Sequence, residues 1–326
     1  MDDNLLRIAI TGSSGFLGSA SIEKLTYNKN VGLIVGIDQY PTNTPSSRTA
    51  PVISIVTDIR NPLGKLLEDY EINVVIHLAF FLRPPRNKKL AREVNVNATK
   101  SLLDACSQAG VDQFIYLSST TVYGAHPSNE QHMVETSTPN PVSGFIYSEH
   151  KKEAEILIQK YQKQHPERAT CILRSCVIMG HNSDNFISDS LQIRYLPTPI
   201  GFNPDMQFLH VEDYTSAIEK VLFRRARGIY NIAGAGTIQW RHMVKLVNNT
   251  VIPVPLGILK KIISLTWILR LQNRSPGPGL NFITYPWLAS TEKIDTQLQW
   301  RPTYSSEDAV KSWIYSKLKK NSPRHE

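Results

Sequence analysis

Cysteine is scarce in this chain. There are three in 326 residues, and Cys106, Cys171 and Cys176 show no metal-ligand or redox spacing. That excludes a disulfide scaffold and leaves the thiols as small core residues of a cytoplasmic protein kept reduced. The nine histidines form no pair at the helical spacing that holds a metal, so no metal site is expected. Long apolar runs are also missing. The most apolar stretch, Leu256 to Leu271, is interrupted by Lys260, Lys261 and Arg270 and is too short to span a membrane. The start, Met1-Asp2-Asp3-Asn4, is acidic and polar, unlike a secretory signal. No internal repeat or low-complexity tract is present, which excludes solenoids and disordered linkers.

What remains has an ordinary globular composition, 41% apolar and 20% charged, with enough length for a large core. The net charge of +8 is unevenly spread. One basic cluster comprises Arg83, Arg86, Lys88, Lys89 and Arg92, and another runs from Lys317 to His325. The second reads as a solvated terminus. The first follows a strand pattern and is placed to attract an anion. No aromatic platform or recognised module accompanies the charge, so no nucleic-acid partner is expected.

Short apolar runs at Leu5–Ile10, Val31–Ile37, Val52–Val56, Val74–Leu78, Phe114–Leu117 and Cys171–Leu173 read as buried strands. Helical patterns lie between them, the clearest at Leu90–Ala109, stopped by Gly110, and Ser143–Gln164, closed by His165-Pro166. This alternation predicts an α/β fold, a Rossmann-type doubly wound parallel sheet. After Gly180 the repeat breaks at Pro197, Pro199 and Pro204. A helix over Val211–Arg225 and a strand at Ile229–Asn231 then return to the sheet. The expected division is a cofactor domain over 1–180, rejoined by about 207–235. A smaller, mostly helical substrate lobe is expected from 181–206 and 236–326. Leu256–Leu271 is apolar on all sides, which predicts burial in that lobe or a subunit contact, with a peripheral membrane contact as the alternative.

The chemistry starts at Thr11-Gly12-Ser13-Ser14-Gly15-Phe16-Leu17-Gly18, directly after the first strand. Gly12 permits a tight turn, Gly15 lets backbone approach a pyrophosphate, and Gly18 packs a helix closely on the strand. The second strand ends in Asp38, where a carboxylate accepts hydrogen bonds from an adenosine ribose. The cofactor is therefore expected to be NAD. NADP is disfavoured, because Asp38 would repel a 2′-phosphate and Gln39 and Tyr40 supply no cation; Arg48 is the nearest arginine downstream.

Tyr147 and Lys151 stand at i and i+4, one turn apart on one helix face, and Ala154, Ile158 and Tyr161 continue that face toward the core. A phenol titrates near ~10 in water, and a neighbouring ammonium and an oxidised nicotinamide ring would both favour its phenolate. The phenolate can then take the proton of a substrate hydroxyl while hydride leaves the same carbon. Ser118-Ser119 ends the strand at Leu117, at the carboxyl edge where ligands of doubly wound sheets lie.

These motifs resemble an extended short-chain dehydrogenase/reductase of the NAD-dependent epimerase/dehydratase family. The resemblance covers most of the chain, through Thr11–Gly18, Asp38, Asp58-Ile59, His77-Leu78-Ala79, Asn95–Thr99, Ser118–Gly124, Tyr147/Lys151, Leu173-Arg174, Phe208–Asp213 and Leu298–Pro302. It implies that Ser119, Tyr147 and Lys151 are catalytic and that Lys151 also holds the nicotinamide ribose. Asn95 would organise the site, and Asp58 and Ile59 would touch adenine. Phe16, Leu17, Leu78 and Ala79 would complete the cofactor cleft. It also implies a homodimer.

Three departures bear on the substrate. Dehydratases of the family carry Asp-Glu where this chain has Thr120 and Thr121, whose hydroxyls titrate too high for that work. Sugar-nucleotide epimerases contact the pyrophosphate with Asn and Arg at positions held here by Val177 and Met206, although Arg194 or Arg241 would be substitutes. With Phe80, Phe81 and Arg83 near the pocket, the expectation is a bulky, less polar alcohol or ketone. A nucleotide-sugar epimerase with a rebuilt phosphate clamp is the alternative enzyme reading. A non-catalytic NAD-binding scaffold or redox sensor is the alternative outside enzymes.

Overall fold

The computed structural model describes residues 5–43, 49–83, 86–181 and 183–321. Met1–Asn4, Arg48 and the basic tail beyond 321 lie outside the described residues. The chain runs β1 (Leu6–Thr11), α1 (Phe16–Leu25), β2 (Val31–Asp38), β3 (Val52–Val56), α2 (Gly64–Asp69), β4 (Val74–His77), α3 (Lys88–Arg92), α4 (Ala98–Gln108), β5 (Gln113–Ser119), α5 (Ile146–Gln164) and β6 (Ala169–Ser175). Next come β7 (Val177–Met179), α6 (Phe186–Ser190), β8 (Tyr195–Pro199), β9 (Asp205–Met206), β10 (Phe208–His210), α7 (Val211–Phe223) and β11 (Gly228–Ile232). The last part holds β12 (Ile238–Gln239), α8 (Trp240–Leu246), β13 (Thr250–Val254), α9 (Leu256–Ile268), α10 (Glu292–Leu298) and α11 (Ser306–Asn321).

Seven parallel strands form one sheet in the order β11-β6-β5-β4-β1-β2-β3. Strand direction alternates side chains between two cores. Ile8, Ile10, Val74 and Ile76 join one core with Ile22, Tyr214 and Ile218, while Ala9 and Val75 join the other with Leu102 and Ile158. Both faces are covered, which is why these strands read as unbroken apolar runs. The order reverses at β1, so a crevice opens outside the carboxyl ends of β1 and β4. A third, aromatic core of Phe145, Phe208, Trp240, Phe282, Trp287 and Trp313 lies beside that crevice.

Three expectations are corrected. The helix expected over Leu90–Ala109 is interrupted by a π-helical turn at Glu93–Asn97. Buried Asn95 sits in that turn, and its Oδ1 accepts from the Phe81 amide at 2.8 Å. A π turn inserts one extra residue and re-aims its side chains, which a 3.6-residue pattern does not reveal. Where the repeat was expected to break, Pro197 and Pro199 still lie in a strand, because β8 carries both and pairs in parallel with β13, whereas Pro204 lies outside any strand. In a two-stranded ribbon each strand keeps one free edge, where a missing N–H costs nothing. Finally, α9 is not buried in the lobe, since only Leu259 of this helix is buried.

Candidate active site

The turn after β1 is made almost entirely of backbone. Gly12 adopts φ +73°, and a Cβ there would come within 2.8 Å of the Ala79 amide nitrogen. A Cβ on Gly18 would run into the Gly12 carbonyl, so both positions exclude a side chain. Asp38, at the end of β2, accepts from the Ser14 amide at 3.1 Å and from the Tyr40 amide at 3.3 Å.

Beneath the turn lies a chain of buried hydrogen bonds. Thr11 Oγ1 accepts from the Leu78 and Ala79 amides and contacts His77 Nδ1 at 2.7 Å. His77 Nε2 contacts Thr99 Oγ1 at 2.9 Å, and that hydroxyl donates to the Asn95 carbonyl. All these bonds are satisfied if Thr11 donates to Nδ1 and the imidazole proton sits on Nε2. Burial, helped by the charge on Lys151, pushes His77 down to about 3, so the ring is a neutral spacer between β1, β4 and α4.

A cleft of about 380 Å³ opens above the turn. Gly12, Gly15, Phe16, Leu17, Gly18, Asp38, Ile59, Leu78 and Ala79 line one end, and Phe80, Phe81, Ser119, Tyr147 and Val177 line the other. Five expected site residues do not form its wall. Asp58 turns to Arg60, whose guanidinium lies 2.6 Å away and holds the carboxyl below its ordinary range. Asn95 acts from behind, through Phe81 and a 3.3 Å contact with His150. Lys151 sits just under Phe80, and Arg83 bonds Asp184 at 2.7 Å with Asp189 at 3.5 Å. Met206 is fully buried in the aromatic core, so it cannot touch a ligand in the cleft.

Ser119, Tyr147 and Lys151 are brought together by β5 and α5. Ser119 Oγ accepts from the Thr121 amide at 3.2 Å and the Thr121 hydroxyl at 3.0 Å, which leaves its own proton for the Tyr147 phenol. Thr121 therefore orients the serine. Desolvation lifts Tyr147 to about 12 against that serine bond, which pulls the other way. Lys151 Nζ donates to the Leu117 carbonyl at 2.6 Å and lies 3.7 Å from the Phe80 ring centroid. Desolvation pushes it down to about 7, with Glu155 opposing. The expectation that Lys151 depresses the tyrosine is not met, because Nζ points at a carbonyl and an aromatic face, 5.8 Å from the phenol ring centroid. Behind the pair, Ser118 donates to Glu155 at 2.5 Å and Glu155 is doubly bonded to Arg174, which locks β5 and β6 to α5.

The far end of the cleft also contains Leu82, Val94, Ile178, Asp184, Asn185 and Phe186, none of which the sequence pattern singles out. Asn185 caps α6 by accepting from the Ile187 and Ser188 amides, both at 3.0 Å. Its Asx-type cap, with Ser188 in the third position, was the one signal available. The basic run is largely committed elsewhere. Arg83 is paired, Arg86 stacks on Trp267, and Arg92 bonds Glu153 at 2.6 Å. Arg194 and Arg241 do not line this cleft. Among the described residues, no group of three or more His, Cys, Asp or Glu is placed to hold a metal, and no helix is long and apolar enough to cross a membrane.

The model of the NAD dependent epimerase/dehydratase family matches residues 8–233, well over half of the chain. The chain belongs to that family. Within it, a mouse dTDP-D-glucose 4,6-dehydratase is 28% identical over 330 aligned positions, covering 94% of this chain and 87% of the relative. A protein of Mycobacterium tuberculosis (strain ATCC 25618 / H37Rv), named only as uncharacterised, is 24% identical over 318 residues, 94% of this chain and 83% of the other. The solved structure of MoeE5 in complex with UDP-glucuronic acid and NAD superimposes with a TM-score of 0.75 at 22% identity, covering 96% and 99% of the two chains. That likeness shows a shared fold.

Proposed function

We propose that this member of the family is an oxidoreductase or epimerase-type enzyme that moves a hydride at a secondary alcohol or ketone carbon. The observation that carries the reading is Ser119 and Tyr147 in the wall of a glycine-floored cleft, with Lys151 directly behind. The floor fits NAD, because Gly12 and Gly18 leave room only for backbone and Asp38 stands at the end of β2 for the ribose. When bound, NAD supplies the hydride acceptor or donor. Phe16 and Leu17, in the first turn of α1, present amides to the pyrophosphate beside Gly15, whose own amide donates to the Gly12 carbonyl at 3.2 Å. Tyr147 holds its proton at neutral pH and gives it to a carbonyl oxygen; in reverse, the phenolate left by that transfer takes the proton of a hydroxyl, while Ser119 positions that oxygen. Lys151 stands behind Phe80 with Nζ on the Leu117 carbonyl, and would reach the ribose only once the Phe80 ring moves aside.

The division follows the same reading. Residues 1–180 and 207–235 serve the cofactor, 181–206 and 236–326 serve the substrate, and the protein works as a cytoplasmic homodimer. The substrate is an apolar alcohol or ketone, since Phe80, Phe81, Val177, Ile178 and Phe186 surround its end of the cleft, where Asp184 is already paired with Arg83. A second reading, a nucleotide sugar, is favoured by the relatives' names and by the UDP-glucuronic acid in MoeE5. The scaffold reading leaves Ser119, Tyr147 and Lys151 without purpose.

The test is a screen of sterols, aromatic alcohols and sugar nucleotides for NAD reduction by the wild type and Tyr147→Phe. Removing the phenolic oxygen is expected to lower turnover by about 10²–10⁴-fold with NAD affinity retained. Wild-type turnover by Tyr147→Phe on a true substrate would overturn the assignment.

A further inference from the structure

The outward face of α9 is apolar. Ile258, Ile262, Leu265 and Leu269 recur at i, i+4, i+7 and i+11, which puts them on one side of a helix, and they are 54, 49, 57 and 57% exposed. Ile268 and Leu271 follow at 72 and 73%. A stripe of this size on a soluble fold marks an interaction surface.

Its flank is rich in cations, although Arg274 also faces Asp189. No Asp or Glu occurs between Glu219 and Glu292, whereas Lys260, Lys261, Arg270 and Arg274 lie on α9 or just after it. The run before α3 adds to this charge, since Arg86 is clamped to the end of α9. Its guanidinium lies 3.7 Å from the Trp267 ring centroid and donates to the Trp267 and Gln272 carbonyls at 2.5 and 2.6 Å. Exposed Lys88 lines the same cleft as Ser264, Trp267 and Ile268 of α9. A second copy of the chain would set these cations against their own kind. An anionic bilayer supplies both an apolar interior for the stripe and counter-charges for the rim, with the long basic side chains reaching outward.

A second cleft, of about 240 Å³, lies between α9 and Tyr147. Ser264, Trp267 and Ile268 of α9 form one wall, and Phe145, Ile146 and Tyr147 form the other. Tyr147 also lines the main cleft.

We propose that α9 docks the protein on an anionic lipid bilayer, and that the cleft between α9 and Tyr147 admits an amphiphilic alcohol or ketone from it. The second clause rests on the Tyr147 reading above, whereas the first does not. The test is sedimentation of the full chain with vesicles of phosphatidylglycerol and phosphatidylcholine, against phosphatidylcholine alone. Binding is expected only to the anionic vesicles and is expected to weaken with salt. Lys260→Glu with Lys261→Glu should reduce it by about tenfold or more. Leu265→Asp should abolish it while the melting temperature holds, because the side chain is exposed. Absence of binding at low salt, or undiminished binding by Leu265→Asp, would overturn the docking claim. So would a Leu265→Asp variant that turns a dimer into a monomer with no lipid bound by the wild type. Vesicle binding needs no turnover, so a failed Tyr147→Phe test leaves this result readable, and the reverse also holds.

Discussion

At the β1 end of the main cleft the lining is backbone, held by Gly12 and Gly18, whereas at the α6 end it is side chain, from Phe81, Val177 and Phe186. A backbone surface tolerates almost no substitution, because any Cβ meets a main-chain atom. A side-chain surface can be rebuilt one residue at a time without moving the fold. The first end therefore announces its ligand in the spacing of its glycines. The second depends on which residues happen to fill the positions a relative uses for phosphate. Four substitutions or conditions separate the two ends, and the expected effects fall in the order given.

The largest effect is expected from Gly18→Val. The new side chain collides with the Gly12 carbonyl and Ser13 Cα, both main-chain atoms that cannot rotate away. Overpacking of this kind costs about 1–3 kcal/mol or more, and displacing the start of α1 removes the anion-facing amides. Thermal unfolding should fall and NAD binding by calorimetry should vanish. Wild-type NAD affinity in this variant would show that the glycine floor is not the cofactor site.

Lys151 stands between the two ends and should reveal itself through pH. Its folded value is pushed down to about 7, while an unfolded lysine titrates near ~10.4. Between those values the unfolded chain binds more protons, so stability rises with pH from 7 toward 10, by up to ~1.4 kcal/mol for each tenfold separation in proton affinity. Above about 10 the sign turns, because Tyr147 is held up to about 12 and its unfolded form deprotonates first. Lys151→Met should flatten the rise, as followed by urea unfolding across this range. An unchanged profile would mean that the lysine is not charged in the unfolded and neutral in the folded state as described.

How much of this was legible follows from the same contrast. The sheet and its crevice came through because buried parallel strands are apolar on both faces, and the placing of Tyr147 and Lys151 on one helix because their spacing is i and i+4. The π turn at Asn95 was hidden, since an inserted residue leaves composition unchanged. Met206 looked like a pocket residue by position in the chain, yet β9 points it into the aromatic core. Apolarity all round α9 looked like burial, because a sequence cannot tell a covered stripe from an exposed one. Asp184 and Phe186 carried no signal until α6 brought them to the cleft.

A smaller effect is expected from Asp38→Ala. The carboxylate is held toward the cleft by the Ser14 and Tyr40 amides, so a 2′-phosphate would sit against it. In water-like surroundings that repulsion amounts to about 1–2 kcal/mol, or roughly tenfold in affinity. Titrating NAD and NADP against both proteins checks it. The wild type should prefer NAD and the variant should lose most of that preference. Tighter NADP binding by the wild type would remove Asp38 from the ribose.

The smallest effect is expected from Val177→Asn at the opposite end, with UDP as the probe and NAD present. A pyrophosphate needs strong paired donors once water is excluded. The wild type offers Val177 in the wall, Asn185 with its Nδ2 turned to the Ile178 carbonyl, and Arg83 already bonded to Asp184. UDP should therefore bind weakly. One added amide contributes a single hydrogen bond, about 0.5–1.5 kcal/mol, or roughly a two- to twelvefold gain. No larger gain is available, because the partner position, Met206, is walled into the core and cannot be recruited without opening it. Calorimetry separates the outcomes. A modest gain over a weak wild type keeps the apolar-substrate reading, while tight, salt-sensitive UDP binding by the wild type would place a nucleotide sugar first. In that case the phosphate donors would have to be backbone amides, and the α6 end would prove to be built like the β1 end after all.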